Sequence, residues 1–206
     1  MANILIAYSS REGQTRKISA FIANEIMQQG HNVETQEIEA MPADMPIDHF
    51  HAVMVGSAIH IGKYSKATWQ FVDTCKPVLS KKTTAFFSVS MSASSPKPRG
   101  QVVAQGYIDN FLMQTRWTPD LHKSISGALV FSQYGPIKTL LMKLITRMVR
   151  GEVDATRDQE FTDWEDVSRF SQAFVEHLDK SIDTAKTTQT SLTPETHYVQ
   201  AHPEPD

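Results

Sequence analysis

Residues 9–15, SSREGQT, separate a short apolar run (3–9) from a helical pattern. Ser9, Ser10, Arg11, Gln14 and Thr15 supply hydroxyl, amide and guanidinium donors, and Gly13 allows close backbone approach. Where a strand runs into a helix, backbone N–H groups and the helix N-terminus gather positive potential, so the chemistry this loop suits is the holding of an anion. It is not a Walker loop, because no Gly-Lys-Ser/Thr follows, and a single glycine does not make the dinucleotide fingerprint. An ordinary hydrophilic strand-to-helix turn has the same composition, and this loop alone does not separate the two readings.

Two further loops tip the balance. GSAIHIGKYS (56–65) carries Ser57, Ala58, Ile59, His60, Gly62 and Tyr64, and SVSMSASSPKP (88–98) carries Ser88 and Ser90. Each follows a strand pattern, so all three loops converge on one carboxyl edge of a sheet. In open α/β sheets that edge binds ligands, and in the flavodoxin-like strand order it binds FMN.

The elements that must position these loops are legible from composition. Residues 3–9, 32–38, 51–58, 83–90 and 124–131 are short and rich in Ile, Val, Phe or Thr, and so read as strands. The first, third and fourth are nearly continuous apolar runs, as expected of strands covered on both faces; the second alternates and reads as an edge. Helical patterns lie between them. Ile18, Phe21, Ile22 and Ile26 share one face, and Gly30 follows as a stop. A second helix is expected over 65–75, ending before Pro77, and a third over 101–115 with Val103, Tyr107, Ile108, Phe111 and Leu112. A last one is expected over 163–178, with Thr162 and Glu165 at capping-box spacing. Strands alternating with such helices imply an α/β fold, a parallel sheet with helices on both faces.

The resemblance then becomes specific. SSREGQT resembles the flavodoxin phosphate loop. More narrowly, SSREGQTRKIS (9–19), GSAIHIGKY (56–64), FLMQTRWTPD (111–120), SGALVFSQYG (126–135) and EFTDWEDVSRF (160–170) resemble the menaquinone-dependent protoporphyrinogen IX dehydrogenases, a long-chain flavodoxin family. That resemblance implies a flavodoxin-like three-layer sandwich with sheet order 2-1-3-4-5 and FMN as cofactor. It implies that Ser10, Arg11, Gly13, Gln14 and Thr15 hold the FMN phosphate, with Ser9 also among the cofactor-binding residues. Ser57, Ala58, Ile59, His60, Gly62, Ser88 and Ser90 would lie around the isoalloxazine. Two positions depart from the pattern. Glu12 replaces a hydroxyl residue, setting a carboxylate beside a dianion unless Arg11 offsets it or Glu12 points outward. Ile61 stands where an aromatic ring would stack, leaving Tyr64 or His60 as candidates. The implied reaction is oxidation of protoporphyrinogen IX to protoporphyrin IX, in heme biosynthesis, with menaquinone or ubiquinone as acceptor; no catalytic acid or base is named. A flavodoxin-type electron carrier and an NAD(P)H:quinone reductase share the FMN-loop features, and a non-enzymatic anion-binding module is the third rival.

GPIKTLLMKLITRMVRG (135–151) resembles that family's inserted region. Its apolar residues cover an arc of roughly 200° on a helical wheel, wider than a core stripe needs. Lys143, Arg147 and Arg150 gather opposite. It reads either as a core helix with a solvated basic face or as a helix lying in an anionic membrane surface. The expected location is therefore cytoplasmic, peripheral to the inner face of the cell membrane. Basic residues near the rim, Lys63, Lys97 and Arg99, are candidates for the porphyrin propionates.

Remaining features argue by exclusion. A net charge of −3 gives no electrostatic case for nucleic acid. Cys75 is the one cysteine, so an intramolecular disulfide is impossible. No signal peptide is read at residues 3–11, and no apolar run of about 18 residues occurs. His49 and His51 lack a third ligand at suitable spacing, so no metal site is expected. No Gly-x-Ser-x-Gly elbow is present. One domain is expected over 1–179, with a disordered Thr- and Pro-rich tail over 180–206.

Overall fold

Every second residue of the central strands goes to one face of the sheet, and both faces are apolar. Ile4 and Ile6 pack with Met54, Phe87 and Ile125, while Leu5 and Ala7 pack with Val53, Val55 and Phe86. Such strands need cover on both sides. A computed structural model of the chain, describing residues 1–129 and 157–190, supplies it. Five parallel strands, β1 (Asn3–Ser9), β2 (Asn32–Glu37), β3 (Ala52–Ala58), β4 (Thr83–Ser90) and β5 (Leu121–Ser126), lie in the order β2-β1-β3-β4-β5. The edge position expected for the second strand is the one it takes.

Helix α1 (Gln14–Gln28) and helix α4 (Trp164–Thr190) cover one face. Their Ile18, Ile22, Ile26, Val167, Phe170, Phe174 and Leu178 close the first core. Helices α2 (Lys66–Leu79) and α3 (Pro98–Thr115) cover the other, where Phe86, Phe111, Tyr64 and Trp117 form an aromatic cluster with ring centroids 4.9–5.9 Å apart. A two-stranded antiparallel ribbon, β6 (Ala128–Leu129) with β7 (Gln159–Glu160), extends the β5 end.

Several boundaries differ from the sequence expectations. Helix α2 runs through Pro77 to Leu79, because three preceding turns and burial of Leu79 carry it past the one missing donor. The fifth strand begins at Leu121, three residues early. Asp120 anchors it there: its N–H donates to the Thr84 carbonyl at 3.0 Å, and its Oδ2 accepts from Thr84 N at 2.7 Å. Residues 128–129 leave that sheet for the ribbon. The cap of α4 is Asp163, whose Oδ1 accepts from Asp166 N at 3.0 Å, and not Thr162. The same helix continues past Asp179 to Thr190, so residues 180–190 are helical and not an irregular tail. Ile182 packs against the first core, and Ser181 Oγ donates to the Leu178 carbonyl. The expectations for the basic segment 135–150 and for residues 191–206 fall outside the described residues.

Candidate functional site

The carboxyl ends of the strands carry a row of serines in register: Ser9 opposite Ser57, Ser57 opposite Ser88, Ser88 opposite Ser124. Register gives them a common side, the one that α2 and α3 cover. Ser57 Oγ lies 2.8 Å from Thr68 Oγ1, and Ser88 Oγ accepts from the Tyr64 hydroxyl at 2.8 Å. Ser9 Oγ donates to Glu39 Oε1 at 2.5 Å and lies 2.8 Å from Ser65 Oγ. These hydroxyls fasten α2 and its approach to the sheet.

The other side of the edge is open. A cavity of about 550 Å³ lies there, bounded by the β1–α1 loop (Ser10, Arg11, Glu12, Gln14, Thr15), the β3–α2 loop (Ala58, Ile59, His60, Ile61, Gly62), the β4–α3 loop (Val89, Ser90, Met91, Ser92), Tyr107 and Gly127–Ala128. Of the residues picked from the sequence, it brings together Ser10, Arg11, Gln14, Thr15, Ala58, Ile59, His60, Gly62 and Ser90. Ser9, Gly13, Ser57, Tyr64 and Ser88 do not line it. Strand parity sends Ser57 and Ser88 to the opposite face, and Ser9 lines a second, adjoining cavity that shares Ser10, Arg11, Ala58 and His60 with the first. Tyr64 is only 8% exposed, with its ring against Phe86 and Phe111, and burial pushes its phenol pKa up. It belongs to the core on the side of α2 and α3 and borders the second cavity, not this one. Tyr107 on α3, read from the sequence as one more apolar helix position, brings the aromatic ring to this cavity instead. Its signal was subtle: Ala104, Ile108 and Phe111 make the buried stripe, and Tyr107 sits one residue off it.

The β1–α1 loop combines an open glycine, a helix N-terminus and an unpartnered hydroxyl. Gly13 adopts φ +89°, with nothing within 4 Å of where a side chain would stand. Helix α1 starts directly after it, so the first turn's N–H groups have no intrahelical acceptor. Ser10 Oγ accepts one of them, Arg16 N, at 3.3 Å, which leaves its own hydroxyl proton to donate. Thr15 is 1% exposed, and its Oγ1 has no hydrogen-bond partner. A buried hydroxyl without a partner costs about 1–3 kcal/mol, a cost that a ligand oxygen would remove. Glu12 and Arg11 both line the cavity, so a carboxylate and a guanidinium stand side by side at this end.

This loop is also clamped from outside. Gln14 Nε2 donates to Glu160 Oε1 at 2.9 Å and to Thr162 Oγ1 at 2.8 Å; Thr162 Oγ1 in turn donates to the Ser126 carbonyl at 2.7 Å. Lys17 pairs with Glu160 Oε2 at 2.6 Å and lies over the Trp164 ring, 5.1 Å from its centroid. Burial raises the Glu160 pKa, but the bonds from Lys17 and Gln14 outweigh it and hold the carboxyl below its ordinary value. The segment EFTDW is thus the strap that fixes α1 against the β5 end.

Known proteins agree with this geometry. Residues 5–156 match the model of a flavodoxin domain family. Over 176 residues, the chain is 31% identical to protoporphyrinogen IX dehydrogenase (quinone) of Escherichia coli strain K12, covering 85% of this chain and 96% of that one. The chain belongs to this flavodoxin-domain family. A protein of the same name from Leishmania major is 28% identical over 171 residues, 82% of this chain and 73% of the relative. The fold of this flavodoxin-domain protein is also that of crystalline oxidised flavodoxin 1 from Bacillus cereus, with TM-score 0.53 and 18% identity across 85% of this chain and 99% of that one.

The cofactor of a flavodoxin domain is FMN, held at the switch point between the first and third strands. The residues present fit it: an unpartnered buried hydroxyl, an open left-handed glycine and a helix N-terminus at one end, an apolar cavity with an aromatic ring at the other. Among the described residues, no helix is long and apolar enough to cross a membrane, and no cluster of metal-ligating side chains occurs.

Proposed function

We propose that this protein oxidises protoporphyrinogen IX to protoporphyrin IX, with FMN as the redox group and a quinone as the electron acceptor. The observation that carries this reading is 31% identity over an alignment that spans 96% of a relative bearing that name. The cavity geometry makes it chemically coherent. Bound FMN would supply two-electron oxidation, and the macrocycle needs three such steps, so the flavin must meet both donor and acceptor repeatedly. In this reading Ser10, Arg11, Thr15 and the first-turn N–H groups of α1 hold the phosphate. Gln14, tied to Glu160 and Thr162, keeps that turn in place. Ala58, Ile59, His60, Gly62, Ser90 and Tyr107 enclose the ring system, and exclude water from its buried edge.

The acceptor is soluble in lipid, which favours docking at a bilayer. The sequence of 135–150, with its broad apolar arc and Lys143, Arg147 and Arg150, supports contact with an anionic membrane surface. Retention on anionic liposomes at low salt, lost at high salt, is the expected outcome; no retention at low salt contradicts it.

The test of the reaction is anaerobic. FMN-loaded protein is mixed with protoporphyrinogen IX, and porphyrin fluorescence is followed with and without a menaquinone analogue. Sustained, quinone-dependent porphyrin formation is expected. Bound flavin without porphyrin formation would instead make the chain an electron carrier, or, if NAD(P)H is consumed, a quinone reductase.

A further inference from the structure

His60, Ile61, Gly62 and Lys63 form a two-residue hairpin, closed by His60 N to the Lys63 carbonyl at 2.9 Å and Lys63 N to the His60 carbonyl at 3.1 Å. Both central residues have positive φ, 49° at Ile61 and 73° at Gly62, as a type I′ turn requires. Asn, Asp or Gly is the residue such a first position favours; a β-branched side chain there is a strained outlier. Ile61 gains no burial in return, since it is 81% exposed. Strain of this kind at the mouth of a cavity points to use by a ligand.

The hairpin also divides two cavities. Ile61 and Gly62 line the main one, and Lys63 lines the second, of about 570 Å³, with Lys66, Glu37 and Glu39; Ser10, Arg11, Ala58 and His60 border both. The two carboxylates there are engaged: Glu37 with Arg16 at 2.6 Å, Glu39 with the Ser9 hydroxyl. Among the described residues, Lys63 and Lys66 take part in no ion pair. The hairpin thus presents an apolar crest toward the cofactor cavity, and on its far side Lys63 and, at the start of α2, Lys66 are two cations without an ion pair among the described residues. A large apolar ring bearing carboxylates on one edge matches that arrangement.

We propose that the outer crest of this hairpin, whose inner residues His60 and Gly62 border the cofactor cavity, receives the tetrapyrrole substrate: Ile61 contacts the macrocycle, and Lys63 and Lys66 receive its carboxylates in the second cavity. This rests on the functional reading above and names the substrate-recognition surface within it. The strained conformation of Ile61 is retained because it lifts an apolar side chain to where the ring passes over the cofactor.

The experiment uses FMN-loaded full-length protein and two probes in the same detergent, protoporphyrin IX and its dimethyl ester, with fluorescence-quench titration and thermal unfolding. Ile61→Gly should raise Tm by about 2 °C or more, since the left-handed penalty is relieved, and weaken both porphyrins about 10-fold. Ile61→Asn should behave alike. Lys63→Gln/Lys66→Gln should reduce the preference for the free acid over the ester about 10-fold, with FMN affinity unchanged. A lower Tm in both Ile61 variants, unchanged porphyrin affinity in them, or an unchanged acid-over-ester preference in the lysine variant overturns the proposal. Wild-type protein that binds both porphyrins while every variant matches it overturns this inference alone. Wild-type protein that binds neither porphyrin overturns it together with the functional reading.

Discussion

The β1–α1 loop and the β3–α2 hairpin face each other across one cavity, yet they are held in opposite ways. The first is strapped: Gln14 and Lys17 reach Glu160 and Thr162, Thr162 reaches Ser126, and Trp164 lies against Phe21 with centroids 4.9 Å apart. The second is a hairpin closed by two backbone bonds, with a strained and exposed residue at its crest. A cofactor that stays bound through many turnovers benefits from pre-organised donors, whereas a substrate that enters and leaves needs an accessible edge. The contrast matches the proposed roles: phosphate on the strapped side and, on the open side, the ring system with an edge that substrate can reach and leave.

The change with the largest expected effect should destroy both sides at once. Gly56 lies at the carboxyl end of β3, beneath the hairpin, and a Cβ there would stand 2.0 Å from Phe87 Cζ. Because Phe87 is fully buried, the ring cannot step aside. Gly56→Ala should cost about 3 kcal/mol or more, read as a lower urea midpoint, with FMN and porphyrin binding lost together. Thr15→Val sharpens the contrast by touching the strapped side alone. Its hydroxyl has no protein partner, so the apoprotein should be as stable as wild type or more so, while FMN binds about 10-fold more weakly. An apoprotein destabilised by this change would mean the hydroxyl serves the fold and not the ligand.

Smaller effects probe the strap itself. Glu160→Gln loses the charge that Lys17 and Gln14 meet, and a partly exposed pair of this kind contributes about 0.2–1 kcal/mol. Unfolding should shift by that amount, and FMN should dissociate faster, while the porphyrin acid-over-ester preference stays unchanged. The pH dependence is smaller still. Burial raises the Glu160 and Asp166 pKa values, but bonds from Lys17 and Gln14, and from Lys123 and Arg169, more than offset it and leave both lowered. A lowered folded-state pKa adds stability that is present above the unfolded value and is lost as pH falls through the folded one. The strap should therefore loosen below about pH 4, and Glu160→Gln should flatten part of that acid limb in a melting series.

Much of this architecture is legible in the amino-acid sequence. The nearly continuous apolar runs at 3–9, 51–58 and 83–90 read as strands covered on both faces, and the donors of 9–15 sit where strand becomes helix. Parity was the signal that loop residues alone do not show. Ser57 and Ala58 are neighbours in sequence but face opposite sides of β3, so Ala58 meets the cavity while Ser57 meets Thr68. The same alternation takes Ser88 and Ser9 away from the cavity. Tyr64 was misplaced for another reason: its ring completes an aromatic cluster whose members come from β4 and α3, and such long-range packing leaves no local trace. The strap was half legible. TDW stood out as a family segment, but its capping-box reading missed Asp163, and nothing local tells that Gln14 waits 148 residues away.

The central claim is that the strapped turn at the start of α1 holds a phosphate. Fluorescence titration of the apoprotein with FMN and with riboflavin, which lacks the phosphate, tests it most directly. Several charge-assisted hydrogen bonds should make FMN bind at least about 100-fold more tightly than riboflavin. Equal affinity for the two would show that the turn does not receive the phosphate, and would contradict the account.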